Sequence, residues 1–470
     1  MIVSEDNGAD LGRYGNNEVY TPNLDQLATE GALFDNAFVT YSVCSPSRST
    51  IFTGLYPHQN GQIGLATHKF SMYKSFKTLP VYLKEQGYRT GCLGKIHVNP
   101  ESAIPFDFHP LTGSNFAKKN LPAYAKQAAG FITASEAPFF LMVNYPDAHY
   151  PLQKQVEGMP AAPLETADIK NTLPFIGVDS KRLRGFTANY YNSMNRLDEA
   201  VGMLLQELKD SGKEKQTLVI YLGDHGPQFS RGKCSNYEAG LRVPFIMRWP
   251  GSIGRDKRIS GLISIIDILP TVIEAAGSEI PAELPGLSLL PVVLGQTSAF
   301  EREYIFAGGM GSTAMLYYPR RSVRDNRYKL IRNLMHQSEN PKFRFYADHA
   351  NAHFDGGTEE LEIENAPEYI QTAYATWRNP PEFELYDLQE DPHEFDNLIE
   401  SNEHRVIFEN LKTALSNWQK ETHDPMADLE KLNRFTAEVA MVNHRFPNHT
   451  YTSDSLFRWE YQDYFYQTDE

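Results

Sequence analysis

The chain has 470 residues, 41% of them hydrophobic and 12% aromatic, with a formal net charge of −15. That length suits one large domain with a smaller companion, and no apolar run reaches the ~18 to 20 residues a membrane helix needs. The acidic balance excludes capture of nucleic acid or anionic lipid by general attraction, so an anionic substrate has to be caught by a few aimed cations.

In chain order, Met1-Ile2-Val3 reads as the tail of a buried strand entering Ser4-Glu5-Asp6, which predicts further chain upstream, any export signal included. Thr21 is the expected N-cap of a helix with Pro22 at its first position, Leu24, Leu27 and Ala28 on one face and Gly31 at its end. Cys44-Ser45-Pro46-Ser47-Arg48 can open a second helix into Ile51-Phe52-Thr53-Gly54, setting free N–H groups and the positive dipole end against the Cys44 side chain. Strands are predicted over Arg89–Leu93, ahead of Gly94-Lys95-Ile96-His97, and over Phe139–Val143, ahead of Asn144 to His149. Phe186–Leu208 has the period of a long amphipathic helix, and Thr217–Leu222 is an apolar strand stopping at Gly223-Asp224-His225-Gly226.

This alternation predicts an α/β domain with a mostly parallel sheet covered on both faces. Its polar clusters fall at strand carboxyl ends, where chemistry gathers in such sheets. From about Arg320 the texture changes. Arg327–Ile331 and Glu384–Asp387 read as strands of a smaller antiparallel sheet, Val406–Trp418 as a helix, and the tail with Trp459, Tyr461, Tyr464, Phe465 and Tyr466 as a packed wrap or subunit contact. The expected domains are 1–318 and 319–470.

Each polar motif alone has a plainer reading. A lone cysteine beside a turn proline is usually a buried thiol, and with only Cys44, Cys92 and Cys234 there is no disulfide framework. Glu5-Asp6 and Asp224-His225 could be turns or caps, while Lys95, His97, His149 and Lys233 could be surface or satisfied loop residues.

The set changes that weighting. Cys44-x-Pro46-x-Arg48, with Thr21-Pro22-Asn23-Leu24-Asp25 before it and Gly54-Leu55-Tyr56-Pro57-His58-Gln59-Asn60-Gly61 after it, resembles the formylglycine-dependent sulfatases of the alkaline-phosphatase-like superfamily. The heparan N-sulfatase (sulfamidase) subgroup is the most similar, through Pro57 to Gly61, Ile96-His97-Val98, Pro105-Phe106-Asp107-Phe108 and Trp418 to Pro425.

The resemblance implies an alkaline-phosphatase-like large domain and a C-terminal α+β domain. It implies that Cys44 is oxidised to formylglycine by a maturation enzyme, and that Glu5, Asp6, Cys44, Asp224 and His225 bind one Ca²⁺. Two departures, Glu5 where Asp is usual and His225 where Asn is commoner, bear on the metal, since imidazole is the softer ligand. Arg48 would hold the hydrated aldehyde, Lys95 and Lys233 the sulfuryl oxygens, and His149 would protonate the leaving group. His97 would restore the aldehyde. His68, Asp147 and the loop from Asn333 to Pro367 are candidate sugar contacts.

The expected substrate is a sulfated saccharide, most like N-sulfated glucosamine of heparan or heparin. An O-sulfatase on an algal or chondroitin-type polysaccharide is the alternative, and a phosphonate or phosphodiester hydrolase the weaker one. A glycan-binding protein that keeps Cys44 as a thiol is the non-enzymatic rival. No nucleic-acid or membrane partner is expected, a homodimer is, and the expected compartment is periplasmic, secreted or lysosome-like.

Overall fold

The computed structural model describes residues 1–347 and 356–467. Eight strands form the main sheet: β1 (Ile2–Ser4), β2 (Ala32–Phe38), β3 (Arg89–Leu93), β4 (Phe108–Leu111), β5 (Phe139–Asn144), β6 (Val219–Gly223), β7 (Phe245–Arg248) and β8 (Lys257–Ser264). Their order is β4-β3-β5-β1-β6-β7-β2-β8. All neighbours are parallel except those of β7, which runs against both β6 and β2.

The central strands are buried on both faces, which is why they read as unbroken apolar runs. Alternate residues serve opposite layers. Ile2, Tyr221, Leu141 and Val143 face helices Pro22–Thr29, Leu121–Thr133 and Lys181–Asp210. Val3, Ile220, Leu222 and Met142 face helices Cys44–Thr53, Leu79–Glu85 and Ile268–Ala275. No helix among the described residues is long and apolar enough to cross a membrane.

The first helix begins at Pro22 as expected, but Thr21 does not cap it with its side chain. Its hydroxyl instead accepts from the Gly12 N–H at 3.1 Å. The exposed N–H groups of Asn23 and Leu24 are taken by the Asp198 carboxylate of the long helix, at 3.2 and 2.7 Å. The cap is tertiary, because a buried helix end needs an acceptor from whichever element packs against it.

A second, four-stranded antiparallel sheet has the order β12-β11-β10-β9. It is built from β9 (Ile305–Gly309), β10 (Arg320–Arg324), β11 (Tyr328–Asn333) and β12 (Phe383–Asp387). β9 lies ahead of residue 319, so the small sheet takes its first strand from the segment expected in the large domain. Helix Arg405–Glu421 packs Phe408, Leu411, Leu415 and Trp418 on Val323, Leu330 and Leu385. The aromatic tail is a wrap: Trp459, Tyr461, Tyr464 and Phe465 pack on Phe435 and Val439 of helix Leu429–Arg445 and on Ile63 and Phe70.

Candidate active site

The carboxyl ends of β1, β3, β5 and β6 open on one edge of the sheet, and helix Cys44–Thr53 points its N-terminus at the same place. Cys44 is the first helical residue and is buried. Its Sγ lies 3.2 Å from His225 Nε2 and 3.9 Å from Asp6 Oδ1. Asp6 holds a left-handed backbone (φ 48°), a conformation aspartate tolerates better than most residues and one common at functional sites. Gly94 ends β3 so close to β5 that a side chain there would meet the Asn144 carbonyl oxygen at 2.1 Å.

Arg48 sits in the centre with no exposure. Its Nη2 donates to Glu5 Oε1, its Nε to Asp224 Oδ2 at 3.1 Å and its Nη1 to Asn144 Oδ1 at 2.8 Å. Lys95 Nζ is 2.6 Å from Glu5 Oε2, and Lys233 Nζ donates to Asp6 Oδ2 at 2.6 Å. Three acids and three bases thus neutralise one another in a buried cluster. Burial works against the charge on Asp6, but Lys233, His149 and His225 outweigh it and hold its carboxyl well below the usual range. Lys233 is likewise opposed by burial and raised well above the ordinary lysine value by Asp6.

The donors suit a hard divalent cation. Ligand atoms of Asp6, Cys44 and His225, and again of Glu5, Cys44 and Asp224, lie within 4.8 Å of one another, all buried. The His225 Nδ1–H donates to the Gly226 carbonyl at 2.9 Å, which turns Nε2 toward Asp6 and Cys44, the way a carbonyl behind a metal-binding histidine fixes which nitrogen faces the ion. Burial alone would lower the His225 pKa, yet Asp224 and Asp6 raise it to about 9, a measure of the negative potential they concentrate at Nε2. Carboxylate oxygens predominate, which favours Ca²⁺ or Mg²⁺ over a soft metal.

His149 follows β5 and turns its Nε2 to within 3.9 Å of Asp6 Oδ2. Burial first, then Lys233 and Lys95, lower its pKa to about 3. His97 lies half-buried beyond β3, again with a left-handed backbone (φ 62°). Burial and the charges of Lys95, Arg48 and Lys233 hold it well below the ordinary histidine value. The expected catalytic and metal residues are therefore brought into one cluster.

The sugar-contact expectations fare differently. Asp147 has no exposure. Both its oxygens are taken, bidentate by Arg196 at 2.8 Å each and once more by Lys119 at 3.0 Å. A carboxylate this enclosed has nothing left for a sugar, so Asp147 is corrected to a structural anchor. His68 is half-buried and hydrogen-bonded through Nδ1 to the Tyr451 hydroxyl at 3.0 Å, with the His449 ring edge-on at 4.6 Å. Within the Asn333–Pro367 loop, residues 348–355 lie outside the described residues.

Sequence reasoning missed several neighbours. Asn144 orients Arg48, and Ser47 Oγ donates to the Asp224 carbonyl at 2.5 Å. Phe116 stacks on His149 with ring centroids 3.6 Å apart, and Lys95 Nζ stands 4.7 Å from the same ring. Asn144 was findable as a polar residue closing an apolar strand, whereas Phe116 had no local signal.

Acids, bases and a cysteine-headed helix thus gather at the carboxyl edge of a mostly parallel sheet, the place where α/β enzymes carry their chemistry. The chain belongs to the sulfatase family and is a sulfuric ester or sulfamate hydrolase: the family model Sulfatase matches residues 1–278, and the model N-sulphoglucosamine sulphohydrolase, C-terminal, matches residues 223–353. It is 32% identical to human N-sulphoglucosamine sulphohydrolase over 90% of each chain. It is also 32% identical to an ulvan-active sulfatase of Formosa agariphila over 89% of this chain and 79% of the relative. A solved 2-O GAG sulfatase superposes with a TM-score of 0.65 at 20% identity, covering 90% of this chain and 92% of its own. A protein solved with its substrate D-glucosamine-2-N,6-O-disulfate gives 0.64 at 19% identity, covering 90% and 97%.

Proposed function

We propose that the protein removes the N-sulfate of a glucosamine residue in heparan- or heparin-type saccharides, using a formylglycine made from Cys44 by a maturation enzyme. The observation that carries this is the position of Cys44 Sγ, 3.2 Å from His225 Nε2 and 3.9 Å from Asp6 Oδ1, at the head of a buried helix between three acids and three bases. Human N-sulphoglucosamine sulphohydrolase as a full-length relative supports the substrate class.

Once loaded, the site would add Ca²⁺, bound by Glu5, Asp6, Asp224, His225 and the oxidised Cys44 side chain, as a Lewis acid, and the hydrated formylglycine as nucleophile. The chain's own residues do the rest. Arg48 stays locked to Glu5 and Asp224 and orients the side chain at position 44. Lys95 and Lys233, held beside Glu5 and Asp6, would face the sulfuryl oxygens and balance their charge. With its Nδ1–H held by the Tyr150 carbonyl, His149 takes up a second proton on Nε2 beside Asp6 and the bound anion and hands that proton to the leaving atom, and His97 takes a proton from the remaining hydroxyl so that sulfate departs. A thiol or serine alkoxide has no second hydroxyl and would stall as the sulfated enzyme.

An O-sulfatase is the second reading, favoured by the equal 32% identity to the ulvan-active sulfatase. Export to a periplasmic, secreted or lysosome-like compartment, homodimer formation and a two-domain division belong to the same proposal. The test is sulfate release from defined heparin, chondroitin and ulvan oligosaccharides after co-expression with the maturation enzyme, with an aryl phosphodiester alongside. Release from the N-sulfated heparin end is expected. An unmodified Cys44 peptide mass, or phosphodiester turnover exceeding every sulfate, overturns the reading.

A further inference from the structure

We propose that Phe116 and Lys119, on the loop ahead of helix Leu121–Thr133, are positioning residues that set the His149 imidazole for leaving-group departure. The inference rests on the role given to His149 above. Two features of this loop converge on that one residue. The Phe116 ring lies flat on the imidazole, with centroids 3.6 Å apart and an interplanar angle of 3°. Lys119 Nζ, with no exposure, donates to the His149 carbonyl at 2.8 Å and to the Pro146 carbonyl at 3.4 Å.

The remaining freedoms of the imidazole are closed in turn. Its Nδ1–H donates to the Tyr150 carbonyl at 2.8 Å, which fixes the ring's rotation and leaves Nε2 facing the site. The turn that carries it is bolted to β1, because the Glu5 N–H donates to the Asp147 carbonyl at 2.8 Å and the Ala148 N–H to the Glu5 carbonyl at 2.6 Å. Asp147 then ties Lys119 to Arg196 on the long helix. The buried carboxylate serves as the anchor of a clamp whose jaws are Phe116 and Lys119. An imidazole held in plane and depth meets a leaving atom without searching rotamers, and displacement by ~1 Å can cost about a hundredfold in rate.

Phe116 also touches Lys95, so its loss has two consequences that separate by substrate. Weaker anion binding through Lys95 lowers activity equally on every ester. Misplaced proton delivery lowers it most where the leaving group most needs the proton.

The experiment measures kcat/KM of the formylglycine-matured full chain on substituted phenyl sulfates, from 4-nitrophenyl sulfate to 4-methoxyphenyl sulfate. It compares wild type, Phe116→Leu, Phe116→Tyr and His149→Ala. For Phe116→Leu the expected loss is about thirtyfold on the poor leaving group and roughly threefold or less on 4-nitrophenyl sulfate, following part of the range by which an acid catalyst contributes. Phe116→Tyr keeps the stacked ring and restores the wild-type slope, and His149→Ala gives the steepest. Equal losses across the series, or none, overturn the inference while leaving the sulfatase reading intact. Failure of wild type on every phenyl sulfate and on N-sulfated heparin oligosaccharides alike overturns both. If Phe116→Leu does not fold by circular dichroism, Phe116→Met is read by the same slope.

Discussion

Arg48→Met removes the charge at the centre of the site while keeping an apolar stem of similar length. Arg48 has no exposure and bridges Glu5 and Asp224, which are buried as deeply. The two acids lose unequally. Glu5 keeps Lys95 at 2.6 Å, whereas Asp224 retains the Asp6 N–H at 3.1 Å and a distant His225 at 3.7 Å. Asp224 is therefore the more stranded of the two, left with a His225 imidazolium at 3.7 Å that it shares with Asp6, and breaking a buried pair of this kind costs about 3–5 kcal/mol. Urea denaturation followed by fluorescence should show that loss in calcium-free buffer. Added Ca²⁺ should recover more stability in the variant than in wild type, since the cation then answers the stranded charge as well, with about 2.7 kcal/mol available at a hundred times its dissociation constant. Turnover should be undetectable in both buffers. A variant within about 1 kcal/mol of wild type without calcium would refute the reasoning, because a buried carboxylate cannot lose its counterion cheaply.

Cys44→Ala should abolish sulfate release with the thermal midpoint nearly unchanged, since it removes one buried sulfur and no hydrogen-bonded charge; residual turnover above one-thousandth, to order of magnitude, would contradict the assigned nucleophile. Arg196→Met should raise the pH of acid unfolding. The folded pKa of Asp147 is opposed by burial but depressed by Lys119 and Arg196, so its stabilising contribution is present above the unfolded value near ~3.9 and is lost as pH falls through the folded one. Losing Arg196 moves that loss to higher pH, readable by circular dichroism. His68 is lowered to about 4 by burial and then by His449. The unfolded chain binds the extra proton between ~6.5 and the folded value, so stability falls as pH drops through that window. His68→Phe should flatten this part of the profile.

The order of the polar clusters along the chain was legible in the sequence because the signals that carry it are local. A cysteine motif opening a helix, acids following apolar strands and a glycine before Lys95 are each specified by neighbours within a few residues. The alternation of strand and helix then puts those strand ends on one edge. The sheet order was not legible, since β7 runs against β6 and β2 through pairings made by residues far apart in sequence. Nor was the start of the small sheet, because β9 becomes its edge only by hydrogen-bonding to β10.

Asp147 and Phe116 mark the same divide. Asp147 stands two residues before His149 in sequence and reads as a sugar contact. Only the arrival of Arg196 and Lys119 from other elements turns it into an anchor. Phe116 carries no motif and meets His149 across a gap of chain that no periodicity describes. Residue type and spacing decide which groups can do chemistry, because ionisation and nucleophilicity are properties of side chains. Tertiary structure decides which of them face each other, because burial forces every buried charge to find its partner wherever the fold supplies one.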